Sequence, residues 1–201
     1  MDNRLQNLVR QVQDQLVQDL IREAKAGNPY AFEKLVQLQQ TYVFSLAIRL
    51  LYDKEEAKDI VQECFVRVWR HLHKYDPAVR FTTWLYRITV NLCLDRLRAR
   101  GRQPLMFSTS GNDERVRRIP EQHSLEQAHT NQELVEIIMG LTAYLPEKQK
   151  LVFTLRDLQD LSVDEVAEIT GFSRESVKTN LHYARRTIRS LLDRHYDIQR
   201  A

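Results

Sequence analysis

The sequence is poor in the residues that punctuate tight turns: among 201 residues only 5 are Gly and 5 are Pro. That scarcity disfavours a turn-rich all-β fold and favours helices. Cysteine is scarcer still. Cys64 and Cys93 are the only two, and they form neither a CxxC pair nor a spaced metal set. Both fall at apolar positions of helical patterns, so they read as small buried thiols in a reducing compartment. No apolar run approaches the ~20 residues that span a bilayer. The stretch around Asp2 and Arg4 has no apolar signal core. The expected location is therefore the cytoplasm, without direct membrane insertion. Also missing are a Gly-rich phosphate loop, a nucleophile elbow and an HExxH pair, which removes the common routes to an enzyme. His71 and His73 lack further nearby ligands and read as polar helix-end residues, so neither metal nor cofactor is expected.

What remains is a globular composition, 43% hydrophobic and 28% charged, with a net charge of +3. So small an excess says little until its distribution is known. Apolar residues recur at helical spacing over 5–26, through Leu5, Leu8, Val9, Val12, Leu16, Leu20 and Ile21. Gly27-Asn28-Pro29 stops this helix, and Pro29 suits the first position of the next. A second helix is expected from Tyr30 to about Tyr52. Asp53 can cap a third, whose apolar face is Ala57, Ile60, Val61, Cys64, Phe65, Val68 and Trp69. The segment from His73 to Arg80 holds Asp76-Pro77 and reads as a loop. A fourth helix is expected from about Phe81 to Arg100, with Trp84 mostly in the core.

Composition then shifts. From Gly101 to about Asn131 the chain is polar, with two Pro, two Gly and no sustained periodicity, as in a flexible linker. Periodicity returns at Leu134, and four helices are expected beyond it: to about Tyr144, from Pro146, over about 162–170 and over about 174–194. The fold class is all-α, two small helical domains joined by the linker.

The sharpest local pattern lies between Ser162 and Arg186. Ser162 with Glu165 is a capping-box pair. Val163, Val166, Ala167 and Ile169 give the helix a buried side. Gly171 supplies a left-handed turn, and Ser173 caps the next helix. Small Ala167, Gly171 and β-branched Val177 at these spacings suit a DNA-reading helix-turn-helix. On the second helix Val177, Leu181, Ala184 and Ile188 form one side. Glu175, Thr179, His182, Tyr183 and Arg186 point away, flanked by Lys178 and Asn180. Six basic and two acidic residues lie between Phe172 and His195.

Two longer stretches then narrow the class. DKEEAKDIVQECFVRVWRHLHKYDPAVRFTTWLYRITVNLCLDRLR, Asp53 to Arg98, resembles region 2 of bacterial sigma factors. LPEKQKLVFTLRDLQDLSVDEVAEITGFSRESVKTNLHYARRTIRSLL, Leu145 to Leu192, resembles their region 4. The order, the linker and the size match the extracytoplasmic-function (ECF) group. The resemblance implies an N-terminal extension at 1–17, region 2 at 18–100, a linker at 101–132 and region 4 at 133–198. It implies docking of Asp59, Gln62 and Glu63 on the clamp helices of the polymerase β′ subunit, and of region 4 on the β flap.

It also implies capture of the −10 strand by the loop containing Tyr75, Asp76 and Arg80 and by the helix after it. There Arg87, Asn91, Arg96 and Arg98 belong to a stretch, Trp84 to Pro104, with five Arg and one Asp. The −35 element would meet Lys178, Thr179, Asn180, His182, Tyr183, Arg185 and Arg186. Asn180 and Tyr183 stand where the family often has Arg, which points to altered base preference, since Asn can pair with adenine. Many ECF proteins are held by an anti-sigma factor, an expected partner beside polymerase and promoter DNA. An ordinary helix-turn-helix regulator would account for Ser162 to Arg186 but not for Asp53 to Arg98.

Overall fold

The computed structural model describes residues 3–102, 137–138 and 140–200. The expected linker falls almost wholly outside the described residues, as does the start of the helix expected from Leu134; 137, 138 and 140–142 are helical. Every regular element among the described residues is helical. The chain divides into two compact units, one of Met1–Arg98 with Glu168–Thr170 and one of Ala99–Ala167 with Gly171–Ala201.

In the first unit, α1 spans Asn3–Lys25 and runs without a break through the expected boundary at residue 17. Residues 3–17 of the expected extension are thus the opening of a longer helix. Gly27, at φ 92°, makes the left-handed turn that L side chains resist. Asn28 then caps α2 (Pro29–Leu51) by accepting from the Tyr30 and Ala31 backbone N–H groups. Tyr52 ends that helix at φ 55°. The Asp53 carboxylate accepts the Glu56 N–H at 2.9 Å and starts α3 (Lys54–His71). A 3-10 turn at Leu72–Lys74 leads into the loop before α4 (Phe81–Arg102).

The core of this unit is Leu35, Val43, Leu46, Ile60, Val68, Leu85 and Val90, all almost fully buried. Each such side chain contributes about 1.5–3 kcal/mol. The expected apolar faces were too wide at their edges: Val12 and Leu16 are exposed, Trp84 is half-buried, and Trp69 keeps 46% of its surface. Trp69 sits at the rim of the α3 stripe, where its indole covers the Phe32 ring at 4.7 Å and leaves its outer face to solvent.

Cys64 and Cys93 are both buried thiols, and Cys64 Sγ lies 3.4 Å from Thr89 Oγ1. Burial pushes the Cys64 thiol up from 9.0 to about 11, against the weaker pull of the Thr89 hydrogen bond. Burial also pushes the Tyr86 phenol up from 10.0 to about 12. Both folded groups hold their protons more tightly than the unfolded chain does. Their stabilising effect is complete below pH 9 and is lost as pH rises through about 11 to 12. A pH series of urea melts should show stability declining across that window. At pH 8 an aromatic disulfide reagent should label both thiols only at the rate of unfolding; immediate labelling would contradict this packing.

In the second unit, α5 (Glu147–Phe153) widens into a π-helical turn at Thr154–Leu158, where a plain α-helix was expected. Arg156 donates to the Leu161 carbonyl and closes the chain before the next helix. The Ser162–Glu165 capping box is formed in both directions, at 3.2 and 2.8 Å. It opens α6 (Val163–Thr170). Gly171, at φ 73°, ends that helix with its N–H on the Ala167 carbonyl at 2.8 Å. Ser173 Oγ accepts the Ser176 N–H at 3.1 Å, and α7 runs over Arg174–Arg200. Val152, Leu155, Val166, Ile169, Val177, Leu181, Ala184 and Ile188 are buried, whereas Val163 and Ala167 are only half-buried.

Candidate nucleic-acid interface

The helix-turn-helix turns one side of α7 outward. At about 100° per residue, Lys178, Thr179, His182, Tyr183, Arg186 and Arg189 spread around the side opposite Val177, Ala184 and Ile188. All six are exposed. Tyr183 packs edge-on against His182 with ring centroids 5.6 Å apart. The surface offers cations, a hydroxyl and imidazole and phenol groups, which suit phosphates and base edges.

Two of the expected DNA residues sit at the borders of that surface and have protein partners. Asn180 is half-buried; its amide nitrogen donates to the Ser176 carbonyl at 2.8 Å and to Ser176 Oγ at 3.3 Å. Arg185 makes a two-pronged pair with Asp157 of the π-helical turn, at 2.8 Å through Nε and 2.7 Å through Nη2. That hydrogen bonding raises the Arg185 pKa.

In the first unit the loop after α3 is an ordered turn. Asp76 Oδ1 accepts the Ala78 N–H at 2.9 Å, and the Asp76 carbonyl accepts the Val79 N–H at 3.1 Å. Asp76, Pro77 and Ala78 form an exposed apex, and Arg80 is half-buried. Tyr75 differs from its neighbours in the expected site. It is 3% exposed, with its ring 5.5 Å from Phe81 and 5.3 Å from Trp84. Its hydroxyl donates to the Val79 carbonyl at 2.7 Å. Burial raises its pKa, against the Gln18 hydrogen bond.

Along α4, Arg87, Asn91 and Arg98 share a face within about 40°, whereas Arg96 lies roughly 180° from Arg87. Arg87, Asn91 and Arg98 are exposed and Arg96 is half-buried. On α3, Asp59 and Gln62 are exposed and Glu63 is half-buried, all on one side at i, i+3 and i+4. Glu63 pairs with Arg67 at 2.7 Å. Exposed Val66 continues the same side. Asp157, Ser176, Gln18 and Lys25 escaped sequence reasoning, because their partners are set by packing or by local capping rather than by motif.

The fold and these surfaces define a helical protein with a helix-turn-helix unit and a second helical unit that carries an exposed polar side on α3. Residues 35–103 match Sigma-70 region 2 and residues 136–188 match Sigma-70, region 4. The chain is 30% identical over 183 residues to the ECF RNA polymerase sigma factor SigW of Bacillus subtilis, covering 89% of this chain and 98% of that protein. It is 32% identical over 175 residues to the ECF RNA polymerase sigma-E factor of Escherichia coli K12, covering 85% and 91%. A structure of CnrH in complex with the cytosolic domain of CnrY has the same fold, with a TM-score of 0.65 at 23% identity, covering 89% of this chain and 97% of that one. So does the sigma factor RpoE of Bartonella quintana in complex with the anti-sigma factor NepR, with a TM-score of 0.63 at 20% identity, covering 81% and 96%.

The chain belongs to the ECF RNA polymerase sigma factors. It is a transcription initiation factor and not an enzyme. Among the described residues no helix is long and apolar enough to cross a membrane.

Proposed function

We propose that the chain brings core RNA polymerase to its promoters with a division of labour among three surfaces, acting in the cytoplasm where polymerase and DNA meet. Asp59, Gln62 and Glu63 grip the β′ clamp helices, and region 4 rests on the β flap. The exposed loop apex, Arg80, Arg87, Asn91 and Arg98 take the −10 strand. Arg96 is left out of that path because it faces away from the other three. Tyr75 serves as the anchor of the loop, since a ring so deeply buried has no face to offer a base. The observation that carries the reading is the outward row on α7, mounted on a helix held by two caps, a glycine turn and a buried stripe. An anti-sigma factor joins the list of partners by analogy of fold alone.

On α7, Lys178, Thr179 and His182 lie in the N-terminal turns that enter the major groove, while Arg186 and Arg189 approach the backbone. Asn180 reaches a base only by exchanging Ser176 for it. Arg185 gives two of its five donors to Asp157 and has the rest for a phosphate. The test is transcription with core polymerase on a library randomised at −35. Asn180→Ala should relax selection at one or two positions. Arg186→Ala should weaken all promoters alike and lower the salt slope by roughly one unit. An unchanged motif with Asn180→Ala, together with a rewritten one for Arg186→Ala, would reverse the division between reading and holding.

A further inference from the structure

Helix α1 lays a polar line against the loop that follows α3. Asp14, Gln18, Ile21 and Lys25 fall within an arc of about 60°. Ile21 is buried and seats the helix. The three polar residues each reach the loop. Lys25 Nζ donates to the Tyr75 carbonyl at 2.8 Å and stands 5.5 Å from the centre of the Tyr75 ring. Gln18 Nε2 donates to the Tyr75 hydroxyl at 3.0 Å. That same hydroxyl donates onward to the Val79 carbonyl. Asp14 meets Arg80 at 3.3 Å. Both ends of the loop are therefore tied to α1, and Tyr75 relays the Gln18 contact across the apex to Val79.

We propose that α1 is a positioning element for capture of the single strand: Gln18 and Lys25 fix Tyr75, Tyr75 fixes the Asp76–Val79 backbone, and Asp14 aims the Arg80 guanidinium. The inference rests on reading this loop as the −10 strand site. The physical reason is preorganisation. A loop whose backbone is already set loses less conformational freedom when a base enters, so more of the contact energy appears as affinity. Tyr75 is a positioning residue here, not a stacking platform. The Asp14–Arg80 pair is exposed, so its share is the smallest.

The experiment uses holoenzyme and two probes: a labelled single-stranded oligonucleotide with the non-template −10 sequence of a library-selected promoter, and a −35 duplex. Gln18→Ala with Lys25→Met should weaken single-strand binding by about tenfold and leave duplex binding and the thermal midpoint unchanged. Lys25→Arg, which keeps the donor, should restore most of the loss due to Lys25→Met. Placed in a Tyr75→Phe background, Gln18→Ala should have little further effect, because its acceptor is already gone. Arg80→Ala and a Gly-Ser replacement of Asp76–Val79 are the controls for the site itself. If neither weakens single-strand binding, the reading of the loop falls, and this inference with it. If both do but the α1 variants bind like the parent chain, the site stands and the α1 inference alone is overturned. An equal loss on both probes with a lowered melting point would also overturn it, by showing a general folding role.

Discussion

Replacing Asp59 and Glu63 together by Lys should lower affinity for core polymerase by about a hundredfold, because like charges facing each other across an interface cost several kcal/mol. The two carboxylates lie one helical turn apart, so a single partner surface meets both. The fold should hardly notice. Asp59 is exposed, and the lost Glu63–Arg67 pair is an intrahelical one between side chains about two-fifths exposed. Such pairs are worth about 0.3–0.5 kcal/mol. Helix content by circular dichroism should therefore match the parent chain while anisotropy titrations with core polymerase lose their transition. Binding of undiminished strength would remove this side of α3 from the polymerase contact. Gln62→Ala, which only deletes hydrogen-bonding capacity, should have a milder effect.

The second large effect is expected from Val177→Asp. Val177 is fully buried in the second unit, in the first turn of α7, where its N–H already bonds the Ser173 carbonyl. An unpaired carboxylate there costs about 3–5 kcal/mol. A small helical unit has stability near the low end of the ~5–15 kcal/mol typical of domains. The second unit should lose most of its helical signal at 37 °C and with it all dependence on the −35 sequence. The first unit is a separate compact body, so holoenzyme should keep its affinity for a single-stranded −10 oligonucleotide. Retained −35 selectivity would mean that α7 is not seated as described. Thr179→Asp, two residues on and exposed, is the control: it should reduce DNA affinity without melting anything.

The position of Val177 could be read directly from spacing. Val177, Leu181, Ala184 and Ile188 recur at helical intervals, and all four are buried. The ends of the helices were equally legible, because capping is decided by neighbours three or four residues apart. Asp53, Ser162 with Glu165, Gly171 and Ser173 each act within one turn of chain, and each does so in the structure. The polar side of α3 followed from the same short-range rule.

What short-range rules could not supply was how residues distant in the chain meet. Arg185 looked like a free cation for phosphate; tertiary packing set it against Asp157, 28 residues earlier. Tyr75 sat in a polar loop and looked available to DNA; the fold turned it inward among Phe81 and Trp84 and tied it to Gln18, 57 residues away. Trp69 lay on an apolar stripe, and only the position of Phe32 on α2 decided how much of the indole was covered. The sequence by itself determined the helices, their caps, the buried stripes and the family. The tertiary structure alone decided which polar side chains on those helices already have partners. The reason is that a helix repeats every 3.6 residues and writes its faces into the sequence, whereas a contact between helices depends on where whole elements come to rest.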